Sequence, residues 1–310
     1  PAEVYGEKYE FLPQPHVLSF EEIDRLTRLF ARIGVSKVRI TGGEPLVRAN
    51  LPDLVSKLCV IDGIDDVALT TNGYLLENNA QELIHAGLNR LTISLDSIDP
   101  EVFKEMSGRP QGPANTLKGI KAATLLGFKQ IKINVVVQRG INEHTLVDTA
   151  RYFKGTGAIV RFIEFMDVGT KNGWELSKVF TSREVIETIN AEFPLEPVEH
   201  NYKGEVASRY RYVDGSGEIG VISSVSEPFC GDCTRARLST DGKLITCLFA
   251  SGGTDLKTPM RSGATDAELV EIITSVWTGR SDRYSELRSK DTEFNTDSDG
   301  SKVEMYYIGG

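Results

Sequence analysis

Two hydrophobic periods alternate along the first half of the chain. Ser19-Phe-Glu-Glu22 has the form of a capping box and predicts a helix to about Arg32. Ile23, Leu26, Leu29, Phe30 and Ile33 share one face, and Gly34 stops it. A strand follows at 37–41. The unit then recurs as helix 51–60 with strand 67–71 and the turn Asn72-Gly73, and as helix 77–86 with strand 90–96. Helices 100–106 and 113–126 precede strand 130–137, and helix 143–154 precedes strand 159–166. Five strands alternating with helices predict a parallel sheet built by right-handed crossovers.

The strands do not read as the continuous apolar runs of a sheet buried on both faces. Val38 and Ile40 oppose Lys37, Arg39 and Thr41. Leu91, Ile93 and Leu95 oppose Thr92, Ser94 and Asp96, and Ile131, Ile133 and Val135 oppose Lys132 and Asn134. One face suits a jacket of helices, and the other is polar and charged. The fold class expected is therefore α/β, a curved sheet forming a partial (β/α) TIM-like barrel around a polar lumen. Arg39 and Lys132 together predict an anion there. Gly42-Gly43-Glu44-Pro45, at the exit of the first strand, lacks the glycine spacing of a dinucleotide turn, but it lets backbone approach a ligand closely.

After Met166 the alternation stops. Residues 167–177 read as a linker, which divides the chain into 1–166 and 167–310. The second part is expected to be a smaller α+β domain, with a helix at 182–192, short strands around 210–213 and 220–222, and a last helix over about 267–279. Residues 289–302 are polar and read as mobile, whereas 303–310 recover hydrophobicity and are expected to dock.

Composition narrows the class. A chain of 310 residues with 40% hydrophobic and 25% charged content is an ordinary globular one, and a net charge of −9 argues against a general nucleic-acid surface. Any anion site must be built locally. No apolar run has the length of a membrane span and no signal-peptide pattern is present, so the cytoplasm is the expected compartment. Three of four cysteines, Cys230, Cys233 and Cys247, form a CxxC-x13-C set, with spacing suited to a metal or cluster. Arg235 and Arg237 follow on alternate positions of what reads as a strand over 234–239, and guanidinium groups suit phosphate. A structural zinc site is the simpler reading of the cysteines. It lacks a nearby histidine, and Cys59 sits in an apolar helix. A three-thiolate iron–sulfur cluster with one iron open is the other.

Taken together, Arg39-Ile-Thr-Gly-Gly-Glu-Pro, Leu69-Thr-Thr-Asn-Gly, Arg161-Phe-Ile-Glu-Phe-Met, Phe229-Cys-Gly-Asp-Cys-Thr-Arg-Ala-Arg and the terminal Gly-Gly resemble one family over nearly the whole chain. It is the GTP 3′,8-cyclase family of radical S-adenosylmethionine (SAM) enzymes, lyases that perform the first step of molybdenum cofactor biosynthesis. The resemblance implies that Cys230, Cys233 and Cys247 hold a 4Fe–4S cluster contacting the GTP base. It implies that Arg39, Thr70, Lys132, Arg235 and Arg237 bind GTP, that Gly43, Ser94 and Met166 contact SAM, and that Gly309 and Gly310 reach the active site beside Arg235 and Arg237. The implied partners are GTP, a reductant and the downstream cyclic pyranopterin monophosphate synthase, without nucleic acid or membrane and with homodimerisation left open.

One departure stands out. The family holds its radical cluster through CxxxCxxC after the first barrel strand, and no such motif occurs here. The expectation is a barrel lacking its first strand, in a fragment of a complete enzyme, that is inactive as it stands. The rival expectations are a GTP-binding regulatory remnant and a zinc-stabilised binding module.

Overall fold

The computed structural model describes residues 13–169, 172–202, 204–288 and 302–308. Helix α1 (Phe20–Arg32) begins with the expected capping box: Ser19 Oγ accepts from Glu22 N at 3.2 Å and Glu22 Oε2 accepts from Ser19 N at 2.8 Å. Leu26 and Leu29 are fully buried, while Ile33 lies beyond the last turn and is 40% exposed, outside the face assigned to it.

Strands β1 (Lys37–Ile40), β2 (Asp66–Thr71), β3 (Arg90–Ser94), β4 (Gln130–Val137) and β5 (Ile159–Glu164) pair in order and all in parallel. Between them run α2 (Leu51–Cys59), α3 (Leu76–His85), α4 (Pro100–Ser107), α5 (Ala114–Leu125) and α6 (Leu146–Phe153). Their apolar stripes cover one sheet face, and Leu69, Leu91, Ile93, Ile133 and Val135 from the strands close the main core. Helices α3 and α5 cross closely at Gly119, where a Cβ would sit 2.8 Å from Gly73 O. Gly73 itself, at φ +74°, has no room for a side chain beside Ile93 and Thr116. The turn read from Asn72-Gly73 is therefore a packing requirement as well.

The sheet does not end at Met166. Helix α7 (Ser182–Glu192) leads to β6 (Leu195–Val198), β7 (Ser208–Tyr212) and β8 (Glu218–Ile222). Strand β8 joins β5 in parallel, and β7 and β6 continue antiparallel, so the order is β1-β2-β3-β4-β5-β8-β7-β6. The short strands expected around 210–213 and 220–222 are β7 and β8, and with β6 they join the five parallel strands, so one continuous sheet crosses the 166/167 position. The two hairpin-linked strands lack the helical spacing that marked the others, so the sequence pattern sets them apart from the sheet they extend. Strands β1 and β6 are the two edges of this sheet. Lys37 Nζ on β1 nevertheless lies 3.8 Å over the ring of Tyr202, which follows β6. The sheet therefore curls into an incomplete barrel.

Glu164, at the end of β5, is 1% exposed and fastens this extension. Its carboxylate accepts from the backbone N–H groups of Ser182, Val225 and Ser226, each at 2.8 Å, and from the Ser226 hydroxyl. The stretch read as a linker is also held: Trp174 Nε1 donates to Phe165 O at 2.9 Å, and Asp167 is buried.

A second core lies beneath a small antiparallel sheet of β9 (Arg237–Leu238), β10 (Lys243–Ile245) and β11 (Thr254–Asp255). Leu18, Leu26 and Leu29 pack there against Leu244, Leu256, Met260 of α8 (Lys257–Arg261), and Leu269 and Ile273 of α9 (Asp266–Thr278). Helix α1 thus joins the two ends of the chain, and Arg25 Nε donates to Asp266 at 2.9 Å across it. Helix α10 (Tyr284–Arg288) follows. The closing segment docks as expected over its described part: Val303 N donates to Ala250 O at 2.9 Å ahead of α11 (Met305–Ile308). Residues 289–301, Gly309 and Gly310 lie outside the described residues.

Candidate active site

The concave face is built by register. Thr70 on β2 lies opposite Thr92 on β3, Thr92 opposite Lys132 on β4, and Asn134 opposite Arg161 on β5. Arg39 Nη1 donates to Thr70 Oγ1 and Thr92 Oγ1, each at 2.9 Å. Arg161 is fixed by Asn134, and Arg90 by Asp66 and Gln130. Lys132 is 9% exposed, and its ammonium has no hydrogen-bond partner among the described residues.

These cations are costly without an anion. Burial, then Arg161 and Arg90, pull the Lys132 ammonium down to about 8. Burial, then Arg39, lowers Arg161 to about 10. Arg39 remains solvent-accessible, but the concave wall displaces water around its guanidinium, and that burial, with Arg90 adding, lowers it too. A polyanion would relieve all three. Arg161 and Asn134 escaped the sequence reading as site residues, although both lie in phase with the polar positions of their strands.

The SAM-side expectations gather at one end of the sheet. Gly43 follows β1, Ser94 ends β3 and Met166 follows β5, all at the carboxyl edge where ligands of parallel sheets bind. Glu44, read only as part of the turn, has a definite task. Its carboxylate accepts from Leu46 N at 3.0 Å, Thr71 Oγ1 at 2.6 Å and Asn72 N at 2.7 Å, which pins the turn to the exit of β2. Gly42, at φ +143°, makes the bend.

Arg235, beside the cysteine loops, lies within electrostatic range of Arg39 on the concave wall. Cys230 and Cys233 lie on a tight turn, with Cys233 N donating to Cys230 O at 3.2 Å, and Cys247 follows β10. Strand β9 covers only Arg237 and Leu238, so Arg235 sits on the loop ahead of it rather than on the strand expected. All three thiols are free and half-buried, and Cys230 and Cys233 both act electrostatically on Cys247. Arg235 Nη2 donates to Cys233 Sγ at 3.3 Å and Phe249 N to Cys247 Sγ at 3.4 Å. Burial raises the Cys233 thiol, but Arg235 and Arg280 outweigh it and bring it to about 7. Arg237 is lowered by burial and by Arg235, with the thiolates of Cys233 and Cys247 opposing. Among the described residues no three His, Cys, Asp or Glu side chains converge on a single ion. Cys59 packs on α2 beside Gly87 in the main core. Three thiols that do not converge on one point, two of them with donors at Cys233 and Cys247, fit a cluster, whose irons are separate centres, better than one tetrahedral zinc.

Comparison with known proteins decides between families. Residues 5–153 match the Radical SAM superfamily and residues 158–286 match Molybdenum Cofactor Synthesis C. The chain is 49% identical to the GTP 3′,8-cyclase of Xanthomonas axonopodis pv. citri, over 100% of this chain and 90% of that protein.

This chain belongs to the GTP 3′,8-cyclase family.

The GTP 3′,8-cyclases of Acidothermus cellulolyticus and Staphylococcus epidermidis are each 46% identical to it, over 100% of this chain and 91% of each protein. Members of this radical SAM family use a 4Fe–4S cluster and SAM, and the family resemblance and barrel class read from the sequence are borne out. Among the described residues no helix is long and apolar enough to cross a membrane. Gly309 and Gly310, expected at the active site, lie outside the described residues, but the segment leading to them is anchored. Lys302 Nζ donates to Asp167 Oδ2 at 2.8 Å and to Tyr284 Oη at 2.6 Å.

Proposed function

We propose that the chain carries the GTP-binding and cyclising machinery of a GTP 3′,8-cyclase, which converts GTP to (8S)-3′,8-cyclo-7,8-dihydroguanosine 5′-triphosphate in molybdenum cofactor biosynthesis. The observation that carries this reading is the row Arg39, Lys132 and Arg161, short of counter-charge and within electrostatic range of Arg235, which hydrogen-bonds Cys233. Arg39, Lys132 and Arg161 take the triphosphate, with Thr70 holding Arg39 in place. Cys230, Cys233 and Cys247 hold a 4Fe–4S cluster against the base. Arg235 and Arg237 bridge the two ends, and Gly43, Ser94 and Met166 line the SAM side. When bound, SAM with its radical cluster supplies a carbon-centred radical that removes hydrogen from ribose C3′. The chain's own contribution is to hold C3′ near C8 of the base by gripping GTP at both ends.

The division of labour we propose falls at 166/167, with the SAM side in 1–166 and the second cluster and base site in 167–310. Gly309 and Gly310 enter from the anchored segment. These 310 residues contain no CxxxCxxC, and we propose that they do not cleave SAM by themselves. A reductant, the downstream synthase that consumes the product, and a cytoplasmic setting complete the reading.

Anaerobic reconstitution tests it, with iron and zinc assays and EPR with and without GTP. About four irons per chain and a signal altered by GTP are expected. Stoichiometric zinc, or a cluster indifferent to GTP, would overturn the substrate-facing role. Formation of 5′-deoxyadenosine by the isolated chain would overturn its proposed inactivity.

A further inference from the structure

Arg280 is the most constrained cation near the cysteine loops. It lies two residues past α9, its side chain is only 12% exposed, and its Nε donates to Asp282 at 3.0 Å. The indole of Trp277 backs the guanidinium at 4.9 Å. So held, it donates through Nη1 to the backbone carbonyl of Cys233 at 2.9 Å, which sets its charge beside that cysteine. Six residues further on, Glu286 Oε1 accepts from Gly231 N at 2.9 Å, inside the same Cys230–Cys233 turn. The stretch from Arg280 to Glu286 therefore grips the turn at two points.

The three thiols are not equivalent. Cys233 Sγ accepts from Arg235, and the Arg280 guanidinium sits at the Cys233 backbone carbonyl. Cys247 has one backbone donor and feels the negative charge of Asp282. Arg235 is exposed and lies among the residues read as meeting substrate, so it has two calls on its charge. Arg280, paired with Asp282 and backed by Trp277, is held at the Cys233 carbonyl.

We propose that Arg280 is the positioning residue that makes Cys233 the electropositive corner of the cysteine set, raising the reduction potential of a cluster bound there. The inference rests on the reading that Cys230, Cys233 and Cys247 carry the cluster. A fixed positive charge beside a ligating sulfur favours the state with one more electron. Guanidinium stays charged across the working pH range, so the bias is permanent.

The test is an EPR-monitored redox titration of the reconstituted 310-residue chain, with iron counted per chain, for wild type, R280Q and R280K. R280Q is expected to keep its iron and shift the midpoint to a more negative value, while R280K, which keeps the charge, stays near wild type. Full iron with an unmoved midpoint in R280Q overturns the proposal. So does lost iron with the remaining clusters at the wild-type potential, because a merely structural clamp would give that result. A midpoint in R280K displaced as far as in R280Q removes charge as the cause. Wild type without any cluster would instead overturn the ligand reading beneath it.

Discussion

Arg161 gives two N–H groups, Nε at 3.0 Å and Nη2 at 2.8 Å, to one oxygen of Asn134. Two donors of one guanidinium on a single oxygen fix its orientation, and Asn134 sets it. Asn134→Ala should leave the fold intact and weaken triphosphate binding by about tenfold, the scale of one charge-assisted hydrogen bond. Calorimetry with GTP checks this. Unchanged affinity would mean that Arg161 needs no orienting.

Lys132 gives the binding a pH signature. Its folded-state value is depressed to about 8 from 10.5, so the folded chain loses this proton before the unfolded one does. Between those two values the unfolded state binds more protons, and stability of the unliganded chain rises with pH. Polyphosphate binding has the opposite sign because it needs the ammonium. Affinity for GTP should fall as pH rises through about 8, by up to about tenfold per unit for one linked proton. Lys132→Arg should flatten that fall, as titration calorimetry across pH 7 to about 9.5 would show.

Glu164 is a structural pivot. Three backbone amides and a hydroxyl from two separate segments converge on its buried carboxylate. Glu164→Ala leaves those donors unpaired and should destabilise the chain by on the order of 3 kcal/mol or more. Chemical denaturation measures the loss. A loss under about 1 kcal/mol would mean that water replaces the carboxylate.

Glu44 should be visible in hydrogen exchange. It holds the amides of Leu46 and Asn72, which belong to different turns. In Glu44→Ala both amides should exchange faster together, because one carboxylate couples them. Acceleration of Leu46 alone would show that the two turns are independent.

The parallel core was legible because each crossover leaves a helix-length apolar stripe between two alternating strands. The boundaries of α2, α3, α5 and α7 moved by only a residue or two from their sequence positions. Strands β6 to β8 were less legible. Strand β8 joins β5 by pairs such as Val160 opposite Ile219, far apart in sequence, which no local period records. In the site, the residue types were readable but not the pairings. Nothing in Arg161-Phe-Ile-Glu names Asn134 as its partner, since register fixes that contact. Arg280 gave no signal, because its role depends on a chain segment 47 residues from Cys233 in sequence.

The placement of α1 has a consequence for how the chain reaches this state. Leu26 and Leu29 find their core partners on α8 and α9, and Arg25 meets Asp266 across 241 residues of sequence. Contacts of such separation form late and slow folding. At ribosomal rates of roughly 5–20 residues per second, the apolar face of α1 waits more than ten seconds for its cover. During synthesis it is a sticky surface, and the nascent chain has to be shielded there until its last helices emerge.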